Sequence, residues 1–331
     1  MSGDRLDVVG IGNALVDVLS NESHDFIAAH DLTPGAMTLI DTERAEQLYA
    51  AMGPAVEISG GSAANTLVGI TSMGGSAAFV GRVADDQLGR VFGHDIRAAG
   101  VEFVAKPASD GEPSGRCLIV VTPDAQRTMN TFLGASAELG PADVDHELVA
   151  RGQILYLEGY LWDEPEAKAA YRLAARTAHD AGNRVAFTLS DAFCVERHRD
   201  EFIELVASEV DVLFANEAEI TSLYQVERFD DALQHVQQHC EIAALTRSEK
   251  GAVVVTRDEV HVVDAHPVEH VVDTTGAGDQ FAAGFLFGLT HGYHLGTAAR
   301  LGTLAASEVI SHMGARPGSS LAQLAAPLLD G

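Results

Sequence analysis

The stretch VVDTTGAGDQFAAGF, residues 271–285, places a carboxylate directly after a pair of closely spaced glycines. Gly276 and Gly278 allow the backbone to approach a ligand, and the helical pattern that follows puts Asp279 in the first turn of a helix. Free N–H groups at the start of a helix, together with the helix dipole, attract anions. The stretch therefore predicts an anion site formed by the backbone of residues 276–278, with a carboxylate beside it.

The anion site and the carboxylate can serve one reaction, the transfer of a phosphoryl group to an alcohol. The transferred group is most anionic between donor and acceptor, where N–H groups can hold it. Asp279 would face the attacking hydroxyl and take its proton. An ordinary helix with an aspartate in its first turn is the structural alternative. The motif lacks the Gly-Lys-Ser/Thr end of a P-loop, which excludes that class of nucleotide site.

Two further motifs place polar side chains at the ends of predicted elements. The glycine turn GGSAANT at 60–66 opens a predicted helix with Ser62 as N-cap, and Asn65 projects one turn in. GIGNALVD at 10–17 puts Asn13 and Asp17 just after the first predicted strand, where ligands of open α/β sheets bind. An aspartate there can accept two hydrogen bonds from a diol, although ordinary turns explain the same residues. The motif lacks the third glycine of a dinucleotide-binding fingerprint.

The rest of the chain alternates between strand-like and helix-like segments. The predicted strands are 6–12, 77–83, 154–160, 184–190, 210–216 and 242–247, with hairpins at 117–132, turning at Pro123-Asp124, and at 252–257 with 260–265. The predicted helices are 62–73, 86–99, 165–181, 198–208, 217–223, 230–239, 279–291 and 296–312. This alternation indicates an α/β fold with a mainly parallel sheet between helices. Residues near 14–58 and 103–133 do not follow it, and we expect them to form a small inserted or lid-like sheet.

Composition limits the partners and the compartment. A length of 331 residues fits one large domain with an insertion, or two domains. A net charge of −27 argues against binding to nucleic acid or to an anionic membrane. The three cysteines lie far apart without zinc spacing, which fits a reducing compartment. Since the sequence shows neither a signal peptide nor an apolar run of membrane-spanning length, we expect a cytoplasmic protein.

With these motifs together, the chain resembles the PfkB, or ribokinase-like, family of carbohydrate and nucleoside kinases. DTTGAGDQFAAGF at 273–285 resembles the C-terminal signature of that family, and GGSAANTLVGITSMGGSAAFVGRVADDQLG at 60–89 resembles the N-terminal one. The likeness runs from GIGNALVD to the final helices. It implies a single domain over 1–331 with the ribokinase-like three-layer α/β fold, in which 14–58 and 103–133 form a β-sheet lid.

The resemblance also implies roles for individual residues. Asp279 resembles the catalytic base, and Gly276, Ala277 and Gly278 resemble the anion hole. The implied substrate contacts are Asn13, Asp17, Met37, Gly61, Ser62, Asn65, Arg127, Tyr160 and Trp162. The implied ATP contacts are Asn216, Thr246, Ser248, Gly251, Thr275, Gly276 and Gly278. Glu219 resembles a residue that organises Mg²⁺ through water, and Asp273 resembles part of a monovalent cation (K⁺) loop. Ser248 stands where the family usually has glycine.

Several segments resemble adenosine kinases in particular, namely GNALVDV, LTPGAMTLID, YLEGYLWDEPEAKAAYRLA and VDVLFANEAEI. This likeness implies ATP-dependent phosphorylation of the 5′-hydroxyl of adenosine. Tyr160 and Trp162 would form a flat slot for the base, Met37 would face the base, and Arg127 would meet the transferring phosphate unless it is a solvated strand-edge residue. A ribokinase- or fructokinase-type sugar kinase, another purine nucleoside kinase, and a non-catalytic binding protein are the alternatives. A monomer and a homodimer are both compatible with the sequence.

Overall fold

The computed structural model describes residues 5–105, 107–124 and 126–329. The strands are β1 Leu6–Ile11, β2 Leu15–Asn21, β3 Met37–Leu39, β4 Ala55–Gly60, β5 Ala77–Val80, β6 Glu102–Phe103, β7 Gly115–Val121, β8 Arg127–Phe132, β9 Gly152–Glu158, β10 Arg184–Thr188, β11 Val212–Asn216, β12 Ile242–Thr246, β13 Ala252–Thr256 and β14 Val260–Val263. The helices are α1 His24–Ala29, α2 Thr42–Ala51, α3 Ser62–Ser72, α4 Gln87–Ala98, α5 His146–Arg151, α6 Pro165–Asp180, α7 Ala192–Ser208, α8 Glu217–Tyr224, α9 Phe229–His239, α10 Ala277–Thr290, α11 Leu295–Val309 and α12 Leu321–Leu329.

The larger sheet is a nine-stranded, mainly parallel sheet in the order β14-β13-β12-β11-β10-β9-β1-β5-β6. Its pairs are parallel from β12 through β1 to β6, whereas β13 and β14 form an antiparallel edge. β1 lies near the middle, and all six of its residues are buried. A strand that is buried along its whole length is expected where helices cover both faces of a parallel sheet.

Helices cover both faces of the larger sheet. On one face, α5 to α9 enclose a core that contains Trp162, Phe187 and Phe202. On the other face, α3, α4, α10 and α11 enclose a second core, which includes Phe79 and Phe285. The structure thus confirms the predicted three-layer α/β fold.

The smaller sheet has the order β3-β8-β7-β2-β4. One of its faces packs on α1 and α2, since Val16, Val18, Leu118 and Val120 share a core with Ile27 and Leu48. Its strands come from residues 15–60 and 115–132. The prediction for these segments missed both helices, and residues 106 and 125 of the predicted small sheet lie outside the described residues, as do 1–4 and 330–331 of the predicted domain.

Several predicted boundaries are wrong for local reasons. The strand predicted at 154–160 ends at Glu158, because Gly159–Leu161 form a 3₁₀ turn. The helix predicted at 198–208 begins at Ala192, where Asp191 caps it, and it bends at His198. The strand predicted at 77–83 ends at Val80. α10 and α11 cover most of the helices predicted at 279–291 and 296–312, and the prediction missed the short helices α5 and α12.

Candidate active site

The polar groups of the site lie at the carboxyl ends of the central parallel strands. Asn13 follows β1, Glu158 ends β9 and Asn216 ends β11. β1 pairs with β5 on one side and with β9 on the other, and ligands of open α/β sheets bind beyond the carboxyl ends of such neighbouring strands. The residues predicted from the glycine motifs converge at this edge.

The glycine loop presents free N–H groups at the start of α10. Gly276 is the N-cap, with φ 76° in the left-handed region, and a Cβ there would lie 2.7 Å from Ala315. The N–H of Ala277 donates to the Thr274 carbonyl over 3.2 Å. Among the described residues, no backbone carbonyl accepts from the N–H groups of Gly276, Gly278 or Asp279. The predicted anion hole therefore needs a correction, since Ala277 has a partner within the loop and the Asp279 N–H is free.

The carboxylate of Asp279 is held by two side chains of α3. The Ser62 hydroxyl donates to Oδ1 over 2.6 Å, and Nδ2 of Asn65 lies 3.4 Å from Oδ2. Burial raises the pKa of Asp279 to about 7, the two hydrogen bonds lower it, and the charges of Glu158 and Asp17 raise it further. A carboxyl group with a pKa near neutrality and a fixed orientation can accept a proton at physiological pH.

Asp17 projects from β2 in register with Ile58 and Cys117. Burial raises its pKa to about 6, although the guanidinium groups of Arg316 and Arg127 lower it. A Cβ on the neighbouring Gly60 would lie 2.5 Å from the Asp17 carboxyl group. The absence of a side chain at Gly60 therefore leaves room for the Asp17 carboxylate.

Gly61 brings α3 to the site. It has a φ of 97°, and a side chain at this position would collide with the carbonyl oxygen of Asn13. The backbone of α3 therefore lies against the segment after β1, which places Ser62 and Asn65 beside Asp279. These contacts bring together the three motifs at 10–17, 60–66 and 271–285.

Glu158 is a buried residue that the sequence analysis missed. Its Oε1 accepts from the backbone N–H and Nδ2 of Asn13, each over 2.8 Å, and its Oε2 accepts from the Ala63 N–H over 2.8 Å. The Ser136 hydroxyl donates to Oδ1 of Asn13 over 2.9 Å. Burial raises the pKa of Glu158, and the hydrogen bonds lower it. Glu158 thus fixes the segment after β1 and the start of α3. The sequence signal was a lone acidic residue at the end of the apolar strand ILYLE.

Arg127 connects the smaller sheet to the glycine loop. Its Nη1 donates to Oδ2 of Asp273 over 2.5 Å and to the Thr275 hydroxyl over 2.9 Å, and its side chain is buried. The alternative of a solvated strand-edge arginine is therefore wrong. Asp273 also accepts from the Gly314 N–H over 2.9 Å, and from the N–H and hydroxyl of Thr275. We predicted the Asp273 carboxylate in a K⁺ loop. In this arrangement it accepts four hydrogen bonds, one from Arg127, two from Thr275 and one from Gly314.

Trp162 does not border the site. It is completely buried among Tyr171, Phe187 and Phe202, and its indole N–H donates to Glu201 over 2.7 Å. The prediction of Trp162 in a base slot is therefore wrong, because its ring is fully buried and leaves no surface for a ligand.

Tyr160 lies closer to the site than Trp162 does. Its hydroxyl donates to the Ser190 carbonyl over 3.2 Å. Burial raises its pKa well above the ordinary value, and the groups of Asp191, Cys194, Asp279 and Glu219 add to this effect. Phe193, which sequence reasoning missed, lies between Asp191 and Cys194 in the chain, two residues after Asp191, and is 70% exposed. An exposed aromatic ring therefore lies beside the residues that surround Tyr160.

Four of the predicted ATP residues, Asn216, Thr246, Ser248 and Gly251, lie at or just after the ends of β11 and β12, and the other three belong to the glycine loop before α10. Asn216 and Thr246 are register partners. The Asn216 N–H and Nδ2 donate to Glu219 over 2.9 and 2.5 Å, and the Glu219 N–H donates back to Oδ1 of Asn216. Ser248 has a φ of 52°, in the region that favours glycine, which agrees with the glycine usual in the family. Gly251, with a φ of 82°, ends the same turn.

Glu219, which the resemblance places near Mg²⁺, is buried, and both of its oxygens accept from Asn216. Burial raises its pKa to about 7, the Asn216 backbone N–H lowers it and Asp191 raises it. Within the described residues, no group of three or more His, Cys, Asp and Glu side chains could hold a metal ion. Mg²⁺ keeps several waters and binds through one or two carboxylates plus substrate phosphates, so a larger cluster is not required.

Met37 lies on the edge strand β3 opposite Met129 and is 43% exposed.

In the part of the chain that is described, no helix has the length and apolar character needed to cross a bilayer.

Comparison with known proteins supports the reading of the motifs. A model of the pfkB family carbohydrate kinases matches residues 34–322. The crystal structure of adenosine kinase from Sinorhizobium meliloti is 53% identical, covers 98% of this chain and 99% of its own, and has a TM-score of 0.91. A probable sugar kinase protein from Rhizobium etli CFN 42 is 50% identical, with coverages of 98% and 100% and a TM-score of 0.91. The 5-dehydro-2-deoxygluconokinase of Geobacillus thermodenitrificans (strain NG80-2) is 26% identical over 317 residues, which cover 92% of this chain and 88% of that protein.

The match at 34–322 includes both glycine motifs, Arg127 and Asp279. The resemblance seen in the sequence is thereby confirmed: the chain belongs to the pfkB family of carbohydrate kinases and is a sugar or nucleoside kinase.

Proposed function

We propose that the protein phosphorylates the primary 5′-hydroxyl of a ribose-containing substrate, adenosine first among them, with ATP as donor. The observation that carries this proposal is the position of Asp279. Its carboxylate is held by Ser62 and Asn65 directly beside the free N–H groups of Gly276 and Gly278. A proton acceptor next to an anion site is what transfer to an alcohol requires.

In this reaction the acceptor oxygen forms a bond to the γ-phosphorus, and the bond to the bridging oxygen of ADP breaks. The hydroxyl proton passes to Asp279, while the N–H groups of Gly276, Gly278 and Asp279 hold the transferred oxygens. Mg²⁺, held by Glu219 through water, would neutralise phosphate charge. Asn216, Thr246, Ser248, Gly251 and Thr275 border the proposed nucleotide side.

The acceptor sugar would lie between the larger and smaller sheets. Asp17 would accept hydrogen bonds from the ribose hydroxyls, and Asn13, Gly61 and Asn65 would line the remaining sides. We propose that the smaller sheet acts as the lid, because it carries both Asp17 and Arg127. Closure would exclude water and so limit hydrolysis of ATP.

A nucleoside is favoured over a free sugar by the face of the smaller sheet that carries Asp17. Strand register places apolar residues on that same face, namely Leu19, Met37, Leu39, Val56, Ile58, Ile119, Val121 and Met129. Met37, Leu39 and Val56 are exposed. An apolar wall next to a diol-binding carboxylate fits a flat base attached to ribose, whereas a free sugar presents hydroxyls in most directions.

The adenosine kinase named above, at 53% identity, agrees with this choice. A sugar kinase of the ribokinase or fructokinase type is the second candidate, because the other two relatives are named as sugar kinases. The two candidates share Asp279 and the glycine loop, and they differ in what the apolar face contacts.

ADP release with ATP and Mg²⁺ tests the proposal against a panel of adenosine, inosine, guanosine, ribose and fructose. The proposal predicts the highest kcat/KM with adenosine. Turnover of a free sugar but of no nucleoside would retain the kinase chemistry and overturn the nucleoside assignment. Saturable binding of adenosine without ADP release would identify a non-catalytic binding protein instead.

A further inference from the structure

Arg316 lies in the segment between α11 and α12 that packs against the start of α10. The carbonyl of the preceding Ala315 accepts from Nε2 of Gln280 over 3.1 Å. The Arg316 side chain is only 14% exposed. A buried arginine is costly unless its charge and its N–H groups have partners, so its contacts should indicate why it is there.

The guanidinium of Arg316 joins three elements around the acceptor side of the site. Nε donates to Oδ1 of Asn65 in α3 over 3.2 Å. Nη1 donates to Oδ2 of Asp95 in α4 over 2.9 Å. Asp95 in turn accepts from the N–H and hydroxyl of Ser59 in β4, over 2.8 and 2.5 Å. Nη2 is buried and has no hydrogen-bond partner among the described residues.

The contact with Asn65 determines which way its amide points. A guanidinium has donors only, so the atom of Asn65 that faces it must be the oxygen. The amide nitrogen then points toward Asp279, where it lies 3.4 Å from Oδ2. If the amide were reversed, its oxygen would face the Asp279 carboxylate, and two acceptors would repel each other.

We propose that Arg316 is a positioning residue of the transfer site, which holds the Asn65 amide in the orientation that donates to Asp279 and places a free N–H on the acceptor side. The proposal rests on the proposed function, because it needs Asp279 as the base. It goes beyond the glycine motifs, since it assigns a role to the C-terminal segment.

Charge supports the same assignment. Two cations lower the pKa of Asp17, and Arg316 has a larger effect than Arg127. Asp17 in turn raises the pKa values of Asp279 and Cys117. Without Arg316, the carboxylates of Asp17 and Asp279 would face each other with one cation fewer.

The test is a double-mutant cycle of Arg316→Gln and Asn65→Ala, with Arg316→Lys as the charge-preserving variant and Arg90→Gln as a surface control. Arg90 pairs with Asp85 at the surface, where both side chains are 67% exposed. We measure kcat and KM for adenosine and for ATP as a function of pH, together with the melting temperature of each variant.

Arg316→Gln is expected to lower kcat/KM for adenosine roughly ten- to hundredfold while KM for ATP stays within about twofold. In the Asn65→Ala background the same substitution should have a much smaller effect, since the two residues act as a unit. Arg316→Gln should also move the acidic limb of the kcat/KM profile, which follows Asp279, to higher pH, because Asp279 loses the Asn65 hydrogen bond that lowers its pKa. Arg316→Lys should restore that limb but not the full kcat.

Equal activity of Arg316→Gln and Arg90→Gln, or an effect that is independent of Asn65, would overturn the proposal while leaving the kinase assignment intact. A parent protein that transfers phosphate to no acceptor of the panel would overturn the proposed function and this inference together. If Arg316→Gln does not fold, Arg316→Lys takes its place in the cycle with Asn65→Ala and decides the question by the same non-additivity.

Discussion

Arg127 and Asp273 join the smaller sheet to the glycine loop through a buried ion pair, with 2.5 Å between Nη1 and Oδ2. The two residues are 146 positions apart in the sequence. Because Asp273 also accepts from Thr275 and Gly314, the pair ties strand β8 to the loop that begins the anion site. Any movement of the smaller sheet must change this contact.

Arg127→Met is expected to lower the free energy of unfolding by about 3 kcal/mol, because it leaves Asp273 buried without its cation. Urea denaturation measures the change. The double variant Arg127→Met with Asp273→Asn should regain much of the loss, since it removes both charges. If the single variant unfolded at the parental urea concentration, the ion pair would contribute nothing to stability.

The pH dependence of kcat/KM should follow Asp279, whose pKa burial raises to about 7. Only the ionised carboxylate accepts a proton, so kcat/KM should fall about tenfold per pH unit below that value. Ser62→Ala removes a hydrogen bond that lowers this pKa, and the acidic limb should therefore move to higher pH. Ser311→Ala, at an exposed position, serves as the control. An unchanged limb in Ser62→Ala would contradict the role of the Ser62 hydroxyl.

Glu158→Gln should destabilise the protein and raise KM for the acceptor. Both oxygens of Glu158 accept from N–H groups, so a glutamine must turn its NH₂ group toward a donor of Asn13 or Ala63. A buried donor left without an acceptor costs about 1–3 kcal/mol. Chemical denaturation and acceptor KM measure the two effects, and Glu249→Gln at an exposed turn is the control. A stable variant with normal KM would show that Glu158 does not position this region.

Met37 and Trp162 should respond differently to substitution. Met37→Ser removes apolar surface from the face that carries Asp17, so KM for adenosine should rise about fivefold while KM for ribose stays constant. Trp162→Phe should lower stability but leave KM for adenosine unchanged, because Trp162 lies in the core and contacts Glu201. If KM for adenosine rose only in Trp162→Phe, the adenine base would contact Trp162, as first predicted from the sequence, and not the face that carries Met37.

The glycine motifs predict the centre of the site because their constraints are local. Gly276 and Gly61 adopt backbone angles that other residues disfavour, and each opens a helix whose first turn carries polar side chains. The position of Asp279 therefore follows from the sequence around it. The alternation of strands and helices likewise predicts the larger sheet, since buried parallel strands require continuous apolar runs.

The supporting residues could not be predicted, because their partners are distant in sequence. Glu158 holds Asn13 across 145 positions, and Arg316 holds Asn65 across 251. Trp162 was placed wrongly for a different reason, because its local sequence fits two environments. An aromatic residue after a strand fits a ligand slot and a core position equally well, and only the packing around Phe202 and Tyr171 distinguishes them.

The most direct measurement is the turnover of Asp279→Asn with ATP, Mg²⁺ and adenosine, together with its affinity for adenosine by calorimetry. Asparagine keeps the shape of the side chain but cannot take the proton, so kcat should fall about 10²- to 10⁴-fold while adenosine still binds. The variant should be no less stable than the parent above pH 7, because it removes a carboxylate whose ionisation burial disfavours. Turnover near the parental rate would contradict the assignment of Asp279 as the base.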